Sequence, residues 1–252
     1  MPSDPVPDAS RDVVRRPHAA FKDLCADAAD AEALASFWGA VLDRPSGVRE
    51  DGVAYVEPGP GQPPAARLWL NPVTEACTDS RVHLALRLAA ADPAALVALG
   101  ATILTDPTGT SPWWVLADPD GNTFRAVGPH PDVAPVDRPS PFELVVDSLD
   151  PVAQARWWSA VVGGTVGTDV DRGVAWIDGA GGSPFRFWVF AATTLEKTVK
   201  NRWHWDLTLA EPAALLAAGA SLLRAPGGDL PWWVLADPEG NEFCAHPEVS
   251  VP

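Results

Sequence analysis

The chain has 252 residues, 47% hydrophobic and 20% charged, which is the balance of a globular protein rather than a disordered one. Its 33 acidic and 18 basic residues give a formal net charge of −15, which disfavours nucleic acid as a partner. Residues 1–17 hold no apolar run of signal-peptide length, and no stretch is long and apolar enough to be a membrane span. The three cysteines form no CxxC pair. We therefore expect a cytoplasmic protein with free thiols.

Two copies of one sequence pattern follow each other along the chain. FKDLCADAADAEALASFWGAVL at 21–42 matches PFELVVDSLDPVAQARWWSAVV at 141–162, SRVHLALRL at 80–88 matches NRWHWDLTL at 201–209, and WWVLADPDGNTF at 113–124 matches WWVLADPEGNEF at 232–243. Three matched blocks in the same order indicate a duplication. The proline-rich stretch between the copies sustains neither a helix nor a central strand. The predicted parts are an N-terminal tail at 1–17, a first domain at 18–128, a linker at 129–141, a second domain at 142–247 and a C-terminal tail at 248–252.

Each copy is predicted to contain two βαβββ modules, which makes the fold class α+β. In the second copy ELVVD is a predicted strand, Asp150–Val162 a helix, and VAWID and FRFWVF strands. The cycle then restarts with the strand WHWDLTL, the helix EPAALLAAG and the strands SLLR, WWVLA and NEFCA. DPEG is predicted to form a type I turn that joins the last two strands as a hairpin.

Strand alternation places the polar side chains of three strands of the second copy on one face. The three groups that share a face are Glu242, Cys244 and His246; Arg202, His204 and Asp206; and Glu143, Val145 and Asp147. The residues between them are mostly apolar, as in a sheet with a packed back and a polar front. A solvent-exposed strand with alternating polar residues has the same pattern, and that alternative stays open.

Carboxylates and imidazoles are ligands that divalent zinc, nickel, iron or manganese accepts. His204, Glu242 and Glu143 are the predicted ligand set of the second copy, and three ligands leave coordination positions for substrate or water. The first copy has Thr123 in place of the glutamate, with Arg125 beside it. Because the fixed charge of arginine disfavours a cation, we expect the first copy to be scaffold or a metal-free pocket.

The blocks FKDLCADAADAEALASFW, KTVKNRWHWDL and WWVLADPEGNEFC resemble the glyoxalase-like branch of the vicinal oxygen chelate superfamily. The resemblance extends over both copies and implies two tandem glyoxalase-like domains, in which paired βαβββ modules form curved, cup-forming mixed sheets. In metal-using members the ligands lie on the first and last strands of a module. His204 and Glu242 match these two positions in the fourth module. Glu143 stands where many members have a first-strand histidine, and the last strand of the third module, within FRFWVFA, offers no acidic residue.

The resemblance also implies roles for residues around such a cup. A bound metal would coordinate vicinal oxygens of the substrate and stabilise developing negative charge, with Asp206 or Asp147 as candidate general base. Trp232 and Trp233 point to opposite faces of their strand. Core packing is the first interpretation of both, and the alternative is that one of them lines the ligand cavity. Arg202 is a candidate for holding an anionic group of the substrate.

Functions from different classes are compatible with these residues. One is a metal-dependent lyase or isomerase acting on a small oxygen-rich molecule; another is metal-free binding or sequestration of a drug or metabolite, as in bleomycin-resistance relatives; a third is a structural or regulatory protein without a ligand. Both a monomer and a homodimer fit four modules in one chain. The modules can form a cup within one copy or across the two copies. If the pairing is across copies, Asp23 or His83 joins residues of the other copy in one site.

Overall fold

The computed structural model describes residues 17–74, 80–109, 111–130, 134–228 and 230–248. They fold into four successive βαβββ modules, which confirms the predicted α+β class and the division of each copy into two modules. No helix in the described ranges is long and apolar enough to cross a lipid bilayer.

The first copy supplies modules 1 and 2. Module 1 consists of β1 (Ala20–Ala28), α1 (Ala31–Leu42), β2 (Ser46–Val48), β3 (Ala54–Val56) and β4 (Leu68–Pro72), with a 3₁₀ turn at Pro64–Ala66. Module 2 consists of β5 (Val82–Arg87), α2 (Ala94–Ala98), β6 (Thr102–Thr105), β7 (Trp114–Ala117) and β8 (Thr123–Val127).

The second copy supplies modules 3 and 4 in the same order of elements. Module 3 consists of β9 (Ser140–Ser148), α3 (Pro151–Val162), β10 (Thr165–Asp169), β11 (Val174–Asp178) and β12 (Phe187–Ala192). Module 4 consists of β13 (Trp203–Leu209), α4 (Ala213–Ala217), β14 (Ser221–Arg224), β15 (Trp233–Ala236) and β16 (Glu242–Pro247). The long helices α1 and α3 each begin after an aspartate that caps the free amides of the first turn, Asp30 to Ala33 N at 2.9 Å and Asp150 to Ala153 N at 3.0 Å.

The modules combine across the two copies. Sheet A has the strand order β14-β15-β16-β13-β1-β4-β3-β2 and so joins module 4 to module 1. Sheet B has the order β10-β11-β12-β9-β5-β8-β7-β6 and joins module 3 to module 2. At each junction the first strands of two modules run antiparallel, with Cys25 opposite His204 in sheet A and Ala85 opposite Glu143 in sheet B. Each sheet is therefore shared between the two sequence copies, and the crossed arrangement is the one adopted.

The two sheets pack against each other and the long helices through one continuous hydrophobic core. Trp158 of α3 touches Trp188 of sheet B and Trp205 of sheet A, with ring centroids 5.5 and 5.0 Å apart, and Phe21 of sheet A reaches the same Trp188 at 5.9 Å. Since each strand alternates its side chains, the polar residues of both sheets point away from this core. The polar faces of sheets A and B therefore lie on opposite sides of the molecule.

The aspartate turn that follows each WWVLA strand serves this core rather than a ligand. Asp237 accepts a hydrogen bond from the indole of Trp158 at 3.0 Å and from the Asn241 backbone amide at 2.9 Å, and burial raises its pKa. The equivalent Asp118 accepts from the indole of Trp38 at 3.1 Å. Each turn thus ties the tip of a hairpin to a core tryptophan on a helix, which explains why the chain carries the same residues twice.

Candidate functional site

Two polar surfaces of the molecule are candidates for the functional site. We use the name polar face A for the outward side of sheet A around Cys25, His204 and Asp206. We use the name cavity B for the concave space over the outward side of sheet B around Arg125 and Glu143. Each surface draws its side chains from both sequence copies, because each sheet does.

Cavity B has a volume of about 840 Å³, within the range of roughly 300–1,000 Å³ that small-molecule pockets occupy. Its walls are aromatic and aliphatic, with Trp113 at one end of the sheet and Trp176 and Phe187 at the other. Arg125 and Glu143 bring charge to the floor, and Asp171 and Arg172 also line the cavity. An apolar space with a few convergent polar groups is typical of a ligand site.

The floor of cavity B is a row of side chains that runs across neighbouring strands. Register pairs Arg125 with Ala85, Ala85 with Glu143, and Glu143 with Phe187. The arginine and the glutamate are thus two strands apart, roughly 9–10 Å between backbones, and only the methyl group of Ala85 stands between them. This row leaves a gap in which a bound group would have a guanidinium on one side and a carboxyl on the other.

Glu143 is the most perturbed acid of the floor. Burial raises its pKa from 4.5 to about 7, and the opposing charges of Arg125 and Arg87 offset only part of that effect. Its carboxyl makes no hydrogen bond or ion pair with any residue in the described ranges. Glu143 therefore exchanges a proton near neutral pH and is free to bond a ligand.

Arg125 is held in place by its neighbours. Its guanidinium lies over the ring of Trp113, 5.0 Å from the centroid, and 3.7 Å from the carboxylate of Asp147. His83 bonds the same aspartate at 3.4 Å through Nε2 and Thr123 Oγ1 at 2.8 Å through Nδ1. Burial works to raise the pKa of Asp147, but the hydrogen bond and charge of His83 and the charge of Arg125 outweigh it, so the net shift is downward. Asp147 is accordingly a paired carboxylate that positions Arg125.

Polar face A carries a compact group of possible metal ligands. Cys25 and His204 face each other on β1 and β13, and Asp206 follows two residues later on the same side of β13. One donor atom from each lies within 4.8 Å of the others, and all three residues are buried. These three residues could hold a metal ion.

The protonation states in this group follow from its surroundings. Burial, together with the charge of Lys200, lowers the pKa of His204, so its imidazole is neutral. Burial and then the nearby Asp206 raise the pKa of the Cys25 thiol well above its usual value. Burial opposes ionisation of Asp206, but a hydrogen bond from His246 at 2.9 Å, together with the charge of Lys22, outweighs it and lowers its pKa.

The other carboxylates of polar face A are bonded to lysines. Asp23 pairs with Lys22 and Asp27 with Lys200. Glu242 pairs with Lys197 at 2.5 Å and accepts a hydrogen bond from the Asn201 backbone amide at 3.2 Å. These carboxylates are therefore less available to a cation than Asp206, whose own contact with Lys22 is 4.0 Å long.

The predicted ligand set of His204, Glu242 and Glu143 is divided between the two surfaces. His204 and Glu242 lie side by side on β13 and β16 of polar face A, whereas Glu143 lies in cavity B among cations. The two candidate bases are divided in the same way, with Asp206 on polar face A and Asp147 on sheet B, 3.7 Å from the Arg125 guanidinium. The structure does not bring the three predicted ligands together.

The predicted substrate-binding residues also have different surroundings. Trp232 lies on polar face A, stacked on His246 at 4.8 Å, whereas Trp233 packs against the core, as strand alternation requires. Arg202 does not reach the polar face.

Arg202 instead links modules. Its side chain is 2% exposed, and it bonds the Asp120 carboxylate, the Asp120 carbonyl at 2.6 Å and the Asp27 carbonyl at 3.2 Å. The equivalent Arg81 lies 3.5 Å from Glu239 at the matching turn of the other copy. This repetition indicates a structural role for both arginines.

Cys25, Trp176 and Phe187 are site residues that the sequence analysis did not assign to a site. Arg125 was expected to disfavour a cation in the first copy, and it does line a cavity. The missing information was which strands become neighbours, and this depends on contacts between the two copies.

Comparison with known proteins gives a match to the family model described as a glyoxalase-like domain, at residues 23–127 and 143–246. Glyoxalase I from Zea mays has a similar fold, with 14% identity, a TM-score of 0.63, and coverage of 90% of this chain and 92% of that chain. A candidate dioxygenase from Bacillus subtilis subsp. subtilis str. 168 is similar at 13% identity and a TM-score of 0.64, covering 92% of this chain and 86% of that chain. Among curated proteins no match to the sequence was found. At these identities the solved structures establish the fold.

Proposed function

The chain belongs to the glyoxalase-like domain family, and on that premise we propose that it binds a small aromatic or oxygen-rich molecule in cavity B without a metal ion. The observation that carries this proposal is a cavity of about 840 Å³ with aromatic walls and two unlike charged groups on its floor. This is the binding function of the bleomycin-resistance type, located on the sheet that modules 2 and 3 share.

The walls favour a planar ligand. Trp176 and Phe187 lie on adjoining strands at one end of the floor, and Trp113 closes the other end beneath the Arg125 guanidinium. Flat rings offer a large apolar contact area with little loss of side-chain freedom, and they stack on other rings. The proposed ligand therefore has an aromatic or conjugated body of modest size.

The floor favours a ligand with one anionic and one protic group. Arg125 would pair with a carboxylate or enolate oxygen, since a guanidinium binds such groups through two parallel hydrogen bonds. Glu143, with a pKa of about 7, would accept a hydrogen bond from a hydroxyl of the ligand or donate one when protonated. Cations are disfavoured beside Arg125. A hydroxylated aromatic acid has this combination of groups.

The chain offers a matched pair of variants for the test, because Trp113 and Trp232 are equivalent in the two copies but lie on different surfaces. We expect Trp113→Ala to weaken the binding of hydroxybenzoate-type probes at least about tenfold, and Trp232→Ala to leave it within about twofold, as measured by isothermal titration calorimetry. Equal losses in both variants, or no binding by the wild type across a panel of aromatic acids, would contradict the proposal.

A metal-dependent lyase or isomerase is the second candidate function. The cluster of Cys25, His204 and Asp206 favours it, because sulfur, nitrogen and oxygen donors meet there on one polar surface. A divalent zinc, nickel, iron or manganese ion would act there as a Lewis acid toward an oxygen-rich substrate. Elemental analysis of untagged protein together with turnover assays separates this function from metal-free binding.

We further propose that the protein is a monomer and that it is cytoplasmic. We also propose that its two sequence copies extend over residues 18–128 and 142–247. Both sheets are completed by modules of the same chain, so cavity B needs no second copy. Cys25 and Cys244 carry free thiols, which a reducing compartment preserves. Light scattering coupled to size-exclusion chromatography measures the mass, and a stable dimer would contradict the monomer.

A further inference from the structure

We infer that Arg172, in the turn of the β10–β11 hairpin, closes over cavity B and binds a second anionic group of the ligand, at the end away from Arg125. This inference rests on the proposed function, since it concerns a ligand of cavity B. It narrows that ligand to an elongated aromatic acid with an acidic group at each end. The hairpin belongs to sheet B and takes no part in polar face A.

The β10–β11 hairpin forms part of the rim of cavity B. Asp171 and Arg172 in its turn, and Val174 at the start of β11, line the cavity. β10 is the outermost strand of sheet B, so the hairpin is paired with the rest of the sheet only through β11. The turn itself is closed by a hydrogen bond from the Gly173 amide to the Val170 carbonyl at 3.1 Å. It lies at the edge of the sheet, where a small movement changes the width of the cavity mouth.

The Arg172 guanidinium is available to an anion. Its side chain is 83% exposed, and its ion pair within the described ranges is with Asp169, 3.7 Å away. An exposed pair of this length contributes little to stability, so exchanging it for a ligand costs little. Val170, the first residue of the same turn, is 77% exposed although its side chain is apolar. Closure of the turn over a ligand would remove part of that apolar surface from water.

The equivalent hairpin of sheet A shows that an arginine at this place reaches over the sheet. β2 and β3 have the same position in module 1 as β10 and β11 in module 3. Arg49, directly after β2, lies over the ring of Trp69 on β4, 5.9 Å from its centroid. Its side chain therefore extends past β3 to the second strand inward from the edge. Arg172 starts from the equivalent turn, and the same reach brings its guanidinium over cavity B.

The separation of the two arginines determines the shape of the ligand. β8, which carries Arg125, and β11, which follows Arg172, are four inter-strand spacings apart in sheet B, roughly 19 Å along the sheet. Two arginine side chains that extend toward each other shorten this gap without closing it. A ligand that contacts both is therefore elongated, with its acidic groups at opposite ends and its aromatic body against Trp176 and Phe187.

The charge of the whole chain makes this choice of ligand testable. A formal net charge of −15 repels a second anionic group wherever no local cation binds it. Asp171, which also lines the cavity, adds to that repulsion. A preference for a ligand with two acidic groups is therefore evidence for a specific cation at the mouth of cavity B, and loss of the preference without Arg172 identifies that cation.

The test compares two probes with the same aromatic body, by isothermal titration calorimetry on the full-length protein. 4-Carboxycinnamate has an acidic group at each end, whereas cinnamate has one. We expect the wild type to bind 4-carboxycinnamate at least about threefold more tightly than cinnamate. Arg172→Gln should abolish this preference and leave the affinity for cinnamate within about twofold. Arg156→Gln, which removes the same charge from an exposed residue of α3, should keep the preference, and Asp171→Asn should increase it.

Hydrogen–deuterium exchange measures the closure. The backbone amides of residues 169–174 should exchange more slowly with 4-carboxycinnamate bound than with cinnamate bound, in the wild type but not in Arg172→Gln. Equal binding of the two probes by the wild type, a preference unchanged in Arg172→Gln, or equal exchange in the two complexes overturns the inference while binding in cavity B stands. If the wild type binds neither probe, both the inference and the proposed function are overturned.

Discussion

Replacing Glu143 with glutamine should stabilise the protein, and increasingly so as the pH rises. The folded state holds the proton of Glu143 up to a pKa of about 7, whereas the unfolded chain releases it near 4.5. Between these values the folded state binds more protons than the unfolded state, so this residue lowers the free energy of unfolding as the pH rises. Glutamine has the same shape and does not ionise.

The size of the effect follows from the same two pKa values. At about 1.4 kcal/mol per unit, the shift from 4.5 to about 7 corresponds to an upper limit of about 3 kcal/mol above pH 8. At pH 5 most of the unfolded chains have lost this proton but little of the penalty has accumulated, so the expected difference is below about 1 kcal/mol. Glu143→Gln should therefore equal the wild type near pH 4.5 and exceed it by about 3 kcal/mol at pH 8.

Urea unfolding of wild type and variant at pH 5 and pH 8 measures both differences, with the exposed Glu211→Gln as the control that should change stability at neither pH. A destabilised Glu143→Gln at pH 8 would refute the reasoning. That outcome would mean that a cation or a hydrogen-bond donor stabilises the carboxylate in the native protein. The assay thus also tests whether Glu143 is a metal ligand, as the sequence predicted.

Two further predictions concern the core. Arg202→Met should destabilise the protein by about 3–5 kcal/mol, because it leaves the carboxylate of Asp120 unpaired, and thermal unfolding measures this loss. Trp158→Phe should cost about 2–4 kcal/mol in the same assay, because it removes the indole donor to the buried Asp237 and opens a small void. Losses below about 0.5 kcal/mol would contradict the structural role assigned to either residue.

The elements of this fold could be read from the sequence because their causes are local. Capping aspartates, turn prolines and the period of the apolar residues lie within a few positions of the elements they define. Trp232 and Trp233 separate to opposite sides of β15 as alternation predicts. The prediction of four modules and of polar faces rests on such patterns.

The composition of the sites could not be read in the same way. Alternation determines which residues of one strand share a face, but not which strand lies beside it, and within-copy and crossed pairing satisfy the pattern equally. This is why Glu143 was grouped with His204 although the two belong to different sheets. The expectation that Arg202 lies on the polar face is wrong for another reason. Arg202 precedes the first residue of β13, so the alternation of that strand does not extend to it.

The duplication explains how one scaffold supports two unlike surfaces. Val145 of sheet B corresponds to Cys25 of sheet A, and Ala85 corresponds to Asp206, while the histidine between them is present in both sheets. Two of the three possible metal ligands are thus replaced in sheet B by small apolar side chains. These replacements leave room above the floor at the place where Arg125 and Glu143 flank cavity B. The same strand positions that would hold a cation on one side of the molecule therefore create space for an organic ligand on the other.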